Sequence, residues 1–245
     1  MTPAPPIALA AAALAGLALV AGCQSTQDKS AQIAASLGPV EVEKGLSIKK
    51  ESKDVEIVDT ALLSDKNGTA AVVTVENNSE ERLVNVPILL TVLDKSGKSI
   101  YRNDIPGIEP ALAYIPIIEP GETMDWVHNQ ILPAGKPDEL EVKIGETEQR
   151  FDGELPDIEV NEPEYQQDPV SGINARGTAI NQTADVHKRL LVYGVSRRGD
   201  EVVAAGRAAL EDMKPERERV YHIFFIGDPQ QGDLSVTSFP TLQAK

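Results

Sequence analysis

Apolar and polar residues alternate along most of the chain with a period of two. From Leu83 to Asp94, Val84, Val86, Ile88, Leu90 and Val92 fall on one side and Asn85, Pro87 and Thr91 on the other. That spacing predicts a half-buried strand. Gly68 to Glu76 is dense in β-branched residues and predicts another. Between them Asn77-Asn78-Ser79-Glu80 is a turn cluster, and Asp94-Lys95-Ser96-Gly97-Lys98 is a hairpin with glycine available for positive φ. Pro120-Gly121-Glu122-Thr123 turns the chain into a strand from Met124 to Ile131, and Glu139 to Ile144 supplies one more. Pro87 inside its strand predicts an edge position.

After residue 169 the signals recur. Strands are predicted at Ile173 to Thr183, Arg189 to Arg197, Glu201 to Leu210, Glu218 to Gly227 and Asp233 to Phe239. Val220 to Ile226 is apolar at nearly every position, which predicts a central strand covered on both faces. Short strands with turns between them read as an all-β sandwich or barrel, and the sandwich is the expected fold. Two such domains are expected, at 46–145 and 169–242.

The two halves read as copies of one module. Asn77-Asn78-Ser79 corresponds to Asn181-Gln182-Thr183, and Gly97 to Gly199, at offsets of 104 and 102. Pro120 to Trp126 and Pro215 to Tyr221 both span six residues. From hairpin glycine to proline turn the first half has 23 residues and the second 16, so a seven-residue insertion lies within Tyr101 to Ile118. Together the turns Val75-Glu76-Asn77-Asn78-Ser79, Val92 to Lys98 and Pro120-Gly121-Glu122, with their counterparts at 181–183, 197–203 and 215–216, resemble the FxLYD domain. That family is an Ig-like β-sandwich of bacterial envelope lipoproteins. The resemblance implies an extracytoplasmic structural or binding module, with no catalytic residues to carry over.

Residues 1–22 lack charge, and Ile7 to Val20 is an apolar run too short to span a bilayer. It predicts the helix of a signal peptide. It ends at Val20-Ala21-Gly22-Cys23, which resembles the bacterial lipobox. The resemblance implies cleavage between Gly22 and Cys23, a covalent lipid on the Cys23 sulfur, and anchoring to a membrane by its acyl chains. Residues 23–45 would be the lipidated N-terminus and a flexible tether.

Composition adds boundaries. Acidic residues number 38 against 23 basic, a net charge of −15 that argues against a nucleic-acid partner. Residues 146–168 hold nine acidic residues and one basic, which predicts an extended acidic linker. The single cysteine excludes an internal disulfide and a thiolate zinc site. His128, His187 and His222 show no metal-ligand spacing, so no metal and no catalytic residue is expected. The acidic stretch could feed a calcium or small-ligand receptor, but Asp152 to Asp168 lacks the order of a calcium loop.

The insertion is the leading candidate for function. Tyr101, Arg102 and Tyr114 lie in a proline-stiffened stretch, and Trp126 follows the proline turn. Tyrosine, tryptophan and arginine are favoured interface anchors. The stretch is either a surface for an envelope protein partner or one more strand with its tyrosines in the core. The overall expectation is a lipid-anchored extracytoplasmic protein that binds or spaces without catalysis.

Overall fold

The structure, a computed structural model, describes residues 45–168, 172–240 and 242, with side chains left out at 167–168 and 172–174. The lipobox expectations, Gly22 and Cys23 included, and nearly all of the tether lie outside these residues. The described chain is all-β and antiparallel, and it belongs to one compact unit.

The first half contains β1 (Val55–Asp65), β2 (Gly68–Asn77), β3 (Leu83–Leu93), β4 (Ser99–Arg102), β5 (Tyr114–Ile118), β6 (Thr123–Ile131) and β7 (Glu139–Ile144). These form two sheets. One runs β1-β2-β6; in the other β3 pairs with β4 and β5 on its partner strands and also with β7. The rest of the chain contains β8 (Ile158–Val160), β9 (Glu164–Asp168), β10 (Gly172–Asn181), β11 (His187–Arg198), β12 (Glu201–Met213), β13 (Glu218–Gly227) and β14 (Asp233–Pro240). They make one sheet in the order β14-β11-β12-β13-β10-β8, with β9 also on β10.

The repeat is visible in hydrogen bonds. Asn77 is fully buried at the end of β2, and its amide donates to the carbonyls of Glu81 (2.8 Å) and Ile118 (3.1 Å). Its Oδ1 accepts from the backbone N–H and hydroxyl of Ser79, at 3.0 and 2.7 Å. Asn181, at the end of β10, donates to the carbonyls of Asp185 (2.7 Å) and Met213 (2.9 Å) and accepts from the N–H and hydroxyl of Thr183, again at 3.0 and 2.7 Å. Each asparagine carbonyl accepts at 2.8 Å from the proline turn, from Gly121 N–H and Glu216 N–H. Four residues before each asparagine, Val73 faces Trp126 and Gly177 faces Tyr221. The equivalence therefore holds to the residue. Gly97 and Gly199 turn the matching hairpins with φ of 78° and 62°.

The insertion also resolves. Residues 99–118 pair along β3 as residues 201–213 pair along β11, 20 positions against 13. The extra residues leave the sheet between β4 and β5 as a loop containing a 3-10 turn at Pro110–Leu112.

One apolar cluster crosses from half to half. It joins Val72, Val86, Leu90, Ile115, Trp126 and Ile131 with Leu191, Tyr193, Val195, Val202 and Ile226. A second, smaller cluster under the third sheet includes Ala175, Leu190, Val192, Tyr221, Ile223 and Phe225. The strand β11 serves both. Leu191, Tyr193 and Val195 face the shared core, while Leu190 and Val192 face the smaller one. Each fully buried side chain of this size is worth about 1.5–3 kcal/mol, so the strand is a main tie between the layers.

Three expectations are corrected. The strand buried on both faces is β11, not Val220 to Ile226, because β13 leaves Val220 and Phe224 37% and 45% exposed. Pro87 does not lie on an edge strand. β3 is central and unbroken: Pro87 itself pairs with Tyr114 of β5, while pairing with β7 begins only at Ile88, and Asn85 two residues earlier takes φ 49°. The acidic stretch 146–168 is not a free linker. Thr147 donates to the Val84 carbonyl at 3.0 Å, and the stretch then supplies β8 and β9 to the third sheet. Ile158 and Val160 alternate with acidic residues and pack against the smaller core, which offsets the charge repulsion.

Candidate functional site

The insertion opens a gap in the sheet beside β3, whose backbone groups there need partners. Asn103 supplies them. It is fully buried, its amide donates to the carbonyls of Ile88 (2.9 Å) and Leu112 (2.7 Å), and its Oδ1 accepts from Leu90 N–H (2.7 Å). One side chain thus stands in for the missing strand. In the sequence Asn103 carried no role of its own within the inserted stretch.

The four expected partner-binding residues do not form one surface. Trp126 is fully buried, and its indole N–H donates to the Tyr114 carbonyl at 3.1 Å. Tyr101 is half-buried, with its hydroxyl on His128 at 2.8 Å, and burial pushes that hydroxyl up to about 12. Arg102 is exposed and pairs with Asp104 at 2.7 Å. Tyr114 borders a groove of about 300 Å³ with Pro110, Ala111, Arg189 and Leu191. The aromatics turned inward because β4 and β6 face the shared core, so Trp126 and Tyr101 are corrected from surface anchors to packing residues.

His128 is the most perturbed titratable group. It is fully buried and packs edge-on against Tyr101 and Trp126, with ring centroids 5.6 and 5.9 Å away. Its Nδ1 accepts from Gln130 N–H at 3.2 Å, so the ring proton sits on Nε2 and is donated to Tyr101. Burial, aided by the Arg207 guanidinium, lowers its pKa to about 3. Both nitrogens of a neutral ring are therefore committed to structure. His187 bonds Thr183 at 2.8 Å, and His222 is exposed on β13. Among the described residues no group of three or more His, Cys, Asp or Glu gathers to hold a metal.

The inserted loop instead grips the other half of the molecule. Glu109 bridges Arg189 at 2.8 Å and Arg207 at 2.7 Å, and the Arg207 side chain is only 4% exposed. A second tie is bidentate. Arg197 donates to both oxygens of Asp125, at 2.6 and 2.7 Å, and Thr74 donates to the same carboxylate at 2.7 Å. Those hydrogen bonds raise the Arg197 pKa above its usual value. At the β1–β2 turn, Asp65 accepts from Gly227 N–H at 3.0 Å. Cations come from the second half and carboxylates from the first. The signal in the sequence was charge segregation, −7 over residues 46–145 and +1 over 169–245. Three of those arginines are occupied internally. No family model matches the chain, and no curated protein matches it.

Proposed function

We propose that this chain is a lipid-anchored protein of a bacterial envelope, held outside the plasma membrane, whose β body is a non-catalytic binding or structural unit. The observation that carries the reading is Val20-Ala21-Gly22-Cys23 at the end of an uncharged apolar run, with Cys23 the only cysteine. Several structural features support it. The matched turns at Asn77 and Asn181 fit a duplicated module of FxLYD type. The most perturbed base, His128, is neutral and engaged at both nitrogens. The first half and the second are tied by two ion-pair clusters and a shared core, which suits a rigid spacer or platform.

The test is membrane fractionation of wild type and Cys23→Ala in a bacterial host, with mass spectrometry of the N-terminal peptide. Wild type should sediment with membranes and carry diacylglycerol mass on Cys23, and the variant should be released. Retention of Cys23→Ala, or an unmodified Cys23, would refute anchoring.

A further inference from the structure

The third sheet has two ends, and they face each other. Among the described residues, β14 pairs only with β11, and β8 and β9 pair only with β10. The sheet curls until these ends border a common groove of about 560 Å³. Residues 160–165 form one bank and residues 232–236 the other. The banks are braced rather than collapsed, since the Tyr165 hydroxyl donates to the Pro229 carbonyl at 3.1 Å. Pro229 is in turn held by the Ser196 hydroxyl at 2.9 Å.

The groove is apolar below and acidic above. Val160 on one bank and Leu234 and Val236 on the other are half-buried, and all three pack against the same small core under this sheet. Glu162 and Asp233 stand on the rim, exposed, and neither carries an ion pair among the described residues. No lysine or arginine lines the groove. An unpaired strand edge offers a row of N–H and C=O groups to any extended chain that fits beside it. Pro163 interrupts the first bank, whereas β14 has no proline before Pro240. The pairing edge is therefore β14.

We propose that this seam is a strand-acceptor site for an extended segment of another protein, in which aliphatic residues alternate with lysine or arginine. The segment adds to the free edge of β14. Its aliphatic side chains complete the cover over Val160, Leu234 and Val236, and its cations meet Glu162 and Asp233. Main-chain hydrogen bonds would supply affinity and the alternating side chains specificity. A second copy of this chain is disfavoured as occupant by its net charge of −15. The proposal rests on the binding reading of the β body and stands apart from the lipid on Cys23.

The test uses the purified full-length protein and three labelled heptapeptides: Lys-Val-Lys-Val-Lys-Val-Lys, the same peptide with its central valine replaced by proline, and the Glu-Val counterpart. Binding is read by fluorescence anisotropy and location by amide hydrogen exchange. The Lys-Val peptide should bind about tenfold or more tighter than the proline peptide of equal charge, and should slow exchange in β14. In Glu162→Lys/Asp233→Lys, two exposed positions that leave the core untouched, preference should move to the Glu-Val peptide. Equal binding of the proline peptide, protection elsewhere than β14, unchanged preference in the double variant, or no binding would each overturn the proposal. None of these outcomes bears on fractionation of the Cys23 variant.

Discussion

Glu109→Ala is the most informative perturbation of the contact between the halves. The variant removes a carboxylate shared by two arginines of unequal burial. Arg189 is 27% exposed and keeps Glu211 at 2.6 Å, so its loss is small, about 1 kcal/mol or less. Arg207 is only 4% exposed, and among the described residues its Nη1 already lacks a hydrogen-bond partner. Without Glu109 its charge would be stranded in a site that burial makes unfavourable. Removing one member of a buried pair costs about 3–5 kcal/mol; Glu109 is itself 27% exposed, so the lower end applies, about 3 kcal/mol. For a body of this size that is roughly 6–12 °C in midpoint. Urea unfolding followed by the single tryptophan, the fully buried Trp126, measures it directly. Glu109→Leu/Arg207→Met should recover most of the loss, because a buried pair replaced by apolar groups costs little. A loss below about 1 kcal/mol for Glu109→Ala would show that the bridge behaves as an exposed ion pair, and the reasoning would fail.

Three further outcomes are expected. Asn77→Asp and Asn181→Asp each exchange two donated hydrogen bonds for oxygen facing carbonyl oxygen, and should each cost about 3 kcal/mol by urea unfolding; losses differing by more than about 2 kcal/mol would contradict their equivalence. Glu216 holds φ of 55° where the first half has Gly121 at 67°, so Glu216→Gly should raise stability by up to about 1 kcal/mol, and a decrease would deny backbone strain at that turn. His128 is neutral when folded down to about pH 3, while the unfolded chain protonates it near 6.5. Unfolding therefore takes up a proton between those values, so the contribution is complete above pH 7 and is lost as pH falls through 6.5 toward 3, by up to about 4 kcal/mol. Compared with wild type, His128→Asn should show a shallower fall in stability across pH 7 to 4; parallel curves would rule this out.

What could be read in the sequence was local. Asn77, Gly97, Pro120 and their counterparts announce turns through their own backbone preferences, so most strand positions, the repeat and the length of the insertion followed from spacing alone, whereas β1 was not predicted. Long-range contacts had no such signature. Glu109 meets Arg189 and Arg207 across 80 and 98 residues, and nothing local to Glu-Pro distinguishes it from a solvated charge. Tyr101 and Trp126 looked like interface anchors because residue type alone does not say which side of a sheet is covered. The strands β8 and β9 were hidden by their acidity. Only Ile158 and Val160, two residues apart, hinted that the stretch has an inward side.

Asn103 has a consequence for how the protein can change. Because it closes the hydrogen bonds of Ile88 and Leu90 from within, the gap in the strand is sealed at its base. Residues 104–109 are thereby released from sheet register, and no alternation binds them. Insertions, deletions or grafted sequences there should leave both sheets intact while altering how firmly the two halves hold together. The loop is a place where evolution or an engineer can retune the stiffness of the body without redesigning either core.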